Sequence, residues 1–181
     1  MRRMLSFTNL LGLAVLLLGV WALWALRGDT GSRSLNLPSD LENQGPRVLR
    51  LHFAKDTQDG LVVEERTVQI AEGEYVLGRV LEELVRGPQI PGAAPLVPAG
   101  TPAPTVFLRD NTALVDLPAA YGRLGYGTAG EMALIYGLAN TLLEFKEVQQ
   151  VKFLLEGQEA LSLGHLSLLD PFRRPATMDG R

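Results

Sequence analysis

The sequence contains no cysteine and only two histidines among its 181 residues. Without cysteine the chain has no disulfide, no thiolate zinc site, no cysteine nucleophile and no cysteine that could carry a lipid. Two histidines do not form a metal-ligand cluster of recognisable spacing, and no P-loop or dinucleotide-binding glycine motif is present. We therefore expect no catalytic residues, no metal and no cofactor.

Basic residues are also scarce beyond the N-terminus. Residues 28–181 carry 14 basic and all 20 acidic side chains, a net charge of −6. A protein that binds nucleic acid needs a basic surface to neutralise phosphates. The composition therefore argues against nucleic acid as a partner.

One long uncharged run is present, at residues 4–26, directly after Arg2 and Arg3. As a helix it would measure about 34 Å, at about 1.5 Å per residue, and a bilayer core is about 30 Å thick. Such a run predicts a transmembrane helix. The basic head suggests that the N-terminus stays inside and the C-terminal part crosses the cytoplasmic membrane, although Arg27 and Arg33 balance the arginine count across the span.

A cleaved signal peptide is the alternative for this segment. Its apolar core usually has 7–15 residues and is followed by small residues at the cleavage site. Here the strongly apolar part, 10–26, is 17 residues long, and Trp21 and Trp24 suit a membrane interface. We therefore expect an uncleaved signal anchor over residues 1–26.

Composition divides the rest of the chain into three parts. Residues 27–46 are rich in Gly, Ser, Asp, Asn and Pro and predict a flexible tether. Residues 47–174 have the size of one domain, and residues 175–181 are expected to be a disordered tail.

Periodicity predicts the elements of this domain. Alternating apolar residues indicate strands, and apolar residues at helical spacing indicate amphipathic helices. The predicted elements are strands at 48–54 and 61–70, a helix from 76 that ends at Gly87-Pro88, strands at 105–109 and 112–117, a helix from 128, a strand at 151–155 and a weaker strand at 165–169. Residues 89–104 contain five prolines and predict a long loop.

Each predicted helix has an apolar stripe. The first comprises Val76, Leu77, Val80, Leu81 and Leu84, and the second comprises Met132, Ile135, Tyr136, Ala139, Leu142 and Leu143. Thr128 and Glu131 have the spacing of a capping box at the start of the second helix.

The order β-β-α-β-β-α-β defines the expected fold class. Two amphipathic helices cannot cover both faces of a mixed sheet of about four to six strands. We therefore predict an α+β two-layer sandwich with both helices on one face, attached to the N-terminal transmembrane helix.

Few polar residues suggest chemistry. His52 lies on the polar side of the first predicted strand and is expected to be exposed. His165 lies between Ser162 and Asp170, but no serine has the G-x-S-x-G surroundings of a nucleophile elbow. The adjacent carboxylates at 64–65 and 82–83 point apart on a strand or helix, so we expect solvated surface groups.

Six short motifs follow one another in a characteristic order. They are LVRGP at 84–88, VPAGT at 97–101, ALVDL at 113–117, TLLEF at 141–145, VKFLLEG at 151–157 and DPFRR at 170–174. In this series the chain resembles the GerMN domain family of sporulation and spore germination. The matching positions are Gly87, Pro88, Pro98, Gly100, Thr101, Asp116, Thr141, Leu142, Phe145, Gly157, Pro171 and Arg174. Pro118 departs from the pattern, because a serine often follows that strand.

The resemblance implies an extracytoplasmic, envelope-attached domain that acts in assembly rather than catalysis. Its motif positions then serve either the scaffold or contact with a partner, and the scaffold role is favoured because Gly87 suits a helix end with positive φ. Many relatives are lipoproteins, and the N-terminal helix would replace their lipid anchor.

Three functions follow from these observations. The first is a membrane-anchored interaction or assembly module whose partner is an envelope protein or a second copy. The alternative is a protein that binds peptidoglycan or another wall ligand, with Tyr75, Tyr121 and Tyr126 as stacking surfaces. A wall hydrolase is the third, and it would require a pocket with convergent polar groups.

Overall fold

The structure, a computed structural model, describes residues 16–17, residue 41 and residues 44–173. The chain forms two compact units, residues 1–36 and residues 37–181. In the first unit, Leu16 and Leu17 are helical and exposed. The rest of the predicted anchor and the predicted tail lie outside the described residues. Within the described part, no helix is long and apolar enough to cross a bilayer.

The described part of the second unit contains eight strands and two helices. In chain order they are β1 (Gly45–Lys55), β2 (Leu61–Ile70), α1 (Val76–Arg86), β3 (Ala93–Ala94), β4 (Thr105–Arg109), β5 (Thr112–Leu117), α2 (Thr128–Leu143), β6 (Gln150–Leu155), β7 (Gln158–Glu159) and β8 (Phe172–Arg173), with a 3₁₀ turn at Tyr121–Arg123 before α2. The predicted α+β class and the order of its main elements are confirmed.

The strands form two sheets rather than the single sheet predicted. The first sheet has the order β2-β1-β3 and is antiparallel throughout. The second has the order β4-β5-β6-β7, with β8 also paired to β6, and only its β5–β6 pair is parallel. Helix α1 contacts β1 and β4, and α2 contacts β1 and β6, so the buried side chains of both sheets and both helices form one core.

Helix α2 explains why β1 does not continue into the second sheet. The backbone N–H of His52 in β1 donates to Oγ1 of Thr141 in α2 at 2.9 Å, and Thr141 is fully buried. The helix therefore satisfies a strand donor that would otherwise pair with another strand. A close approach is needed, and Gly137 provides it: a Cβ there would lie 2.8 Å from the carbonyl oxygen of His52.

A Gly137→Ala variant is expected to lower the free energy of unfolding by about 1–3 kcal/mol, because the new methyl group overpacks this contact. The matched control is Gly78→Ala in α1, whose Cβ would meet only an ordinary contact at 3.7 Å. That control should gain about 0.5–1 kcal/mol from helix propensity. Urea unfolding followed by far-UV circular dichroism measures both values. Equal effects of the two substitutions would contradict the close approach.

The buried faces largely follow the predicted stripes. All five residues of the α1 stripe are buried, as are Ile135, Ala139, Leu142 and Leu143 of the α2 stripe. Met132 and Tyr136 are exposed instead, so the prediction was wrong for these two. They face a groove rather than the core.

The ends of the domain and its long loop differ from the sequence expectation in detail. Strand β1 begins at Gly45, and Leu41 is buried in the core, although both lie in the stretch with tether-like composition. The proline-rich segment contains the two-residue strand β3, which pairs with the end of β1. The prediction of a weak strand at 165–169 is wrong, because this loop forms only a single β-bridge, between Ser162 and Ser167.

Candidate interaction groove

An open groove of about 1000 Å³ lies against the first half of α2. Its other walls are the tip of the β1–β2 hairpin and the segment from β3 to Leu96. Apolar side chains and glycines provide most of its lining. The lining includes Ala54, Leu61, Ala94, Pro95, Leu96, Tyr126, Ala129, Met132, Ala133, Tyr136 and Asn140.

Two tyrosines hold the walls of this groove in place. Tyr126, just before α2, donates its hydroxyl to the carbonyl oxygen of Leu96 at 3.1 Å, which ties the helix start to the β3 segment. The ring of Tyr136 packs edge-on against Phe172, with 5.4 Å between centroids. A tyrosine hydroxyl is a donor at neutral pH, and burial raises the pKa of Tyr126 further above its ordinary value.

The charged groups of the groove come only from the hairpin tip. They are Lys55, Asp56 and Asp59. The Lys55 ammonium lies 3.6 Å from the Asp59 carboxylate. A hydrogen bond from Thr57 and the charge of Lys55 lower the pKa of Asp59. The groove therefore combines an apolar lining with a charged rim at one end, where Lys55 pairs with Asp59 and Asp56 leaves a net charge of −1.

His52 lies beside the C-terminal end of α2 and is only half-buried, not exposed as predicted. Its Nε2 is 2.9 Å from Oε1 of Glu144, and Arg50 donates to Oε2 of the same carboxylate at 2.9 Å. The prediction failed because the polar side of β1 faces a helix end here rather than solvent alone.

Glu131 has a different role from the capping box that its spacing predicts. Helix α2 has Gly127 as its N-cap, with no side-chain hydrogen bond. The buried Glu131 carboxylate instead accepts the backbone N–H groups of Leu163, His165 and Leu166, at 2.8–3.2 Å, and faces Nδ1 of His165 at 3.1 Å. Burial raises the pKa of Glu131, but these hydrogen bonds outweigh it and lower the pKa overall. His165 is therefore tied to Glu131.

The paired acidic residues are not both solvated, as the sequence suggested. Glu64 and Glu83 are only 3% and 2% exposed. Between them lies Arg66, whose Nε donates to Glu64 at 2.8 Å and whose Nη1 donates to the Glu83 carboxylate at 3.0 Å. Residues i and i+2 of a strand share a face, so β2 brings Glu64 and Arg66 to the same side as α1.

The Gly87-Pro88 motif completes this buried ion network. Gly87 has φ +97°, a conformation that glycine adopts readily. Its carbonyl oxygen accepts a hydrogen bond from Nη2 of Arg66 at 2.8 Å. The N–H of Gln89, directly after Pro88, donates to Glu64 at 2.7 Å. The motif thus positions backbone groups around Arg66.

Asp116 and Gly157 are 41 residues apart and meet in the structure. Asp116 lies near the end of β5, and its Oδ1 accepts the backbone N–H of Gly157 at 2.7 Å. Gly157 follows β6 in a turn where it and Glu156 both have positive φ. Asp116 therefore fixes the tight turn between β6 and β7.

An Asp116→Ala variant is expected to lose about 0.5–1.5 kcal/mol of unfolding free energy, the net value of one hydrogen bond. Asp116→Asn keeps an acceptor oxygen and should lose less than half as much. Thermal unfolding followed by circular dichroism compares them with the parent chain. An asparagine variant as unstable as the alanine variant would argue against this bond.

The other motif positions are spread over the fold. Thr101 donates both its N–H and its hydroxyl to the Pro98 carbonyl, at 3.2 and 2.7 Å, with Gly100 at φ +84° in the same turn. Thr141 holds the edge of β1, Pro171 directly precedes β8, and Arg174 lies outside the described residues. The structure thus pairs some motif positions but does not gather them at one site.

The tyrosines considered for stacking are not a common platform. Tyr121 is buried, its hydroxyl donates to the Pro102 carbonyl at 3.2 Å, and burial raises its pKa. Tyr75 is half-buried before α1. Tyr126 lines the groove, as does Tyr136, which the sequence pattern predicted to lie in the core.

No cluster of three or more His, Asp or Glu side chains in the described part is placed to hold a metal.

The helices and strands form a small α+β domain with an open groove. Comparison with known proteins shows the family to which this domain belongs. A family profile for sporulation and spore germination, Germane, matches residues 50–161, more than half of the chain. The chain belongs to this family, which confirms the resemblance drawn from the six motifs.

Two solved structures are similar. One is the first GerMN domain of the sporulation protein GerM from Bacillus subtilis, at 22% identity and a TM-score of 0.57, with 71% of this chain and 98% of that chain covered. The other holds the tandem GerMN domains of the same protein, at 22% identity and a TM-score of 0.58, with 71% and 46% covered. At this identity the likeness shows the fold alone. A search of curated proteins found no match.

Proposed function

We propose that this chain is a membrane-anchored, extracytoplasmic and non-catalytic interaction module of the bacterial cell envelope. The groove along α2 is the observation that carries the proposal. Its lining is mostly apolar, and its charged groups stand together at one end, on the hairpin tip. Such a surface suits the docking of a protein segment.

Two further features support the proposal. Family membership associates the domain with sporulation and spore germination proteins. The uncharged run at residues 4–26 has the length of a membrane span, and the basic residues before it suit an inside N-terminus. A tethered domain with a docking groove can recruit a partner at the membrane without chemistry of its own.

The absence of cysteine allows a direct test of topology. Val48→Cys places a single thiol on an exposed strand position. In intact cells, a membrane-impermeant maleimide should label this variant, which should stay in the membrane pellet after an alkaline wash. Labelling only after lysis would overturn the extracytoplasmic location, and release by the wash would overturn the anchor.

The docking role has its own test. Full-length chain with a photo-crosslinking residue in place of Met132 should capture a discrete partner in membranes. The same residue in place of Val48, which is exposed but outside the groove, is the matched control. Equal capture at both positions would contradict a groove-directed interaction.

A further inference from the structure

Strand β2 forms an open edge of the first sheet. The N–H of Lys55 donates to the carbonyl oxygen of Gly60 at 2.9 Å, so these two residues form a hydrogen-bonded pair at the end of the hairpin. Hydrogen-bonded and non-hydrogen-bonded pairs alternate along an antiparallel ladder. Past Leu61, the residues of β2 in non-hydrogen-bonded pairs are Val63, Glu65, Thr67 and Gln69. Their backbone N–H and C=O groups point away from β1 and are here called the β2 edge.

The bond between His52 and Thr141 supports this alternation. His52 is the register partner of Val63, and its N–H points away from β2 to the Thr141 hydroxyl. In such a pair the backbone groups of the two residues point in opposite directions, so those of Val63 face outward. No strand, loop or side chain of the described part forms hydrogen bonds with the β2 edge.

The other strand edges in the described part are short or covered. Strand β1 is covered on its other side by α2 and β3, and β3 has two residues followed by Pro95, which has no N–H. Strand β4 has five residues, and the backbone of Leu108 is hydrogen-bonded to Tyr75. Proline, lysine or a bulge often protects an edge strand. Strand β2 contains no proline or lysine, and its register with β1 is unbroken.

Charge along the β2 edge favours a basic partner. On the exposed side, Glu65 lies 3.7 Å from Nε of Arg50, and Glu144 accepts from the same guanidinium at 2.9 Å. Two carboxylates therefore face a single arginine. On the buried side, Glu64 and Arg66 pair with each other, at 2.8 Å. Because β2 carries two glutamates and one arginine, a second copy of this strand would meet like charge.

We propose that the β2 edge accepts an extended, basic segment of a partner protein as an added strand. An extended chain presents its own N–H and C=O groups at the spacing of these outward donors and acceptors. A basic side chain of the segment lies beside Glu65, and an apolar one lies beside Val63, which is 36% exposed. Residues 63–69 do not line the groove, so the β2 edge is a second docking surface, independent of the first.

A synthetic peptide of alternating lysine and valine tests the proposal on the full-length chain in detergent micelles. Fluorescence anisotropy of the labelled peptide should show saturable binding. A peptide of alternating glutamate and valine is the matched control and should not bind, because it brings like charge to Glu65. Absence of binding by the lysine–valine peptide, or equal binding of both peptides, would overturn the proposal.

A proline at the β2 edge separates backbone pairing from side-chain contact. Thr67→Pro removes one outward N–H without removing a bond of the β1–β2 ladder. The lysine–valine peptide should bind about tenfold more weakly, because one backbone hydrogen bond is lost. Thr67→Ala keeps the N–H and should bind within about twofold of the parent chain. Equal weakening by both substitutions would contradict strand addition.

Amide hydrogen exchange on the unaltered chain locates the peptide without any substitution. Exchange should slow at Val63, Glu65 and Thr67, whose N–H groups gain carbonyl partners. Slower exchange at residues 56–60 instead would place the peptide at the acidic rim of the groove and overturn the inference. Light scattering that shows a dimer for the parent chain and a monomer for Thr67→Pro would overturn it in favour of a second copy.

Discussion

An Arg66→Met variant is expected to lose about 3–5 kcal/mol of unfolding free energy. The substitution leaves the buried Glu64 carboxylate without the arginine that pairs with it and the Gly87 carbonyl without its donor, whereas Glu83 keeps Arg79 and Arg86. Unpaired buried charges are much more destabilising than the loss of a contact at the surface. Urea unfolding followed by far-UV circular dichroism provides the measurement.

Arg50→Met is the matched control, since Arg50 also lies in the first sheet and also faces two carboxylates. Its side chain is 51% exposed, whereas that of Arg66 is 7% exposed. An exposed ion pair contributes about 0–1 kcal/mol. Similar losses from both variants would show that burial does not set the importance of Arg66.

A rescue experiment separates charge from packing. When Glu64→Gln is added to Arg66→Met, the buried carboxylate that paired with Arg66 is replaced by a neutral amide, and part of the lost stability should return. If the double variant is less stable than Arg66→Met alone, the Glu64 carboxylate is not the source of the penalty.

A Glu131→Ala variant is expected to lose about 2–4 kcal/mol of unfolding free energy, because the backbone N–H groups of Leu163, His165 and Leu166 lose an ionised acceptor. Glu144→Ala, at the C-cap of the same helix, is the control: that carboxylate also faces a histidine, but its other partner is the exposed Arg50. It should lose about 1 kcal/mol or less. Amide hydrogen exchange should also quicken at residues 163–166 in the Glu131 variant alone.

The same carboxylate makes stability depend on pH. The pKa of Glu131 in the folded chain is below its ordinary value of about 4.5. Its contribution is therefore complete above that value and is lost as pH falls through the lower, folded-state pKa. The stability contributed by Glu83 changes with pH in the same direction. Burial raises the pKa of Glu83, but Arg66, Arg86 and Arg79 outweigh this effect and lower the pKa overall. Between neutral and acid pH, Glu131→Ala should lose less stability than the parent chain, and parallel curves would contradict this assignment.

Local patterns predicted the parts of the fold that local physics determines. The stripe of α1 is buried as expected, because that helix has one apolar side and one charged side. The pattern of α2 failed at Met132 and Tyr136, because apolar residues surround most of this helix and periodicity cannot distinguish a core from a groove. The number of sheets was also not predictable, since it depends on α2 meeting the edge of β1.

The candidate groove could be predicted from the sequence only in part. Its walls come from three segments that are distant along the chain, and no motif position marks Met132 or Tyr136. The burial of Glu64 and Glu83 was missed because it depends on how β2 packs against α1, where Arg66 of the strand reaches Glu83 of the helix. The motifs did identify Asp116 and Gly157, yet their contact spans 41 positions and needed the structure.

The bond between His52 and Thr141 has a consequence for folding order. These residues are 89 positions apart, so β1 and β2 leave the ribosome well before the helix that completes the β1 edge. Until then the hairpin presents an open strand next to apolar residues, which is a template for pairing between chains. We expect nascent chains that stop before α2 to aggregate, because the edge of β1 stays open until Thr141 is present.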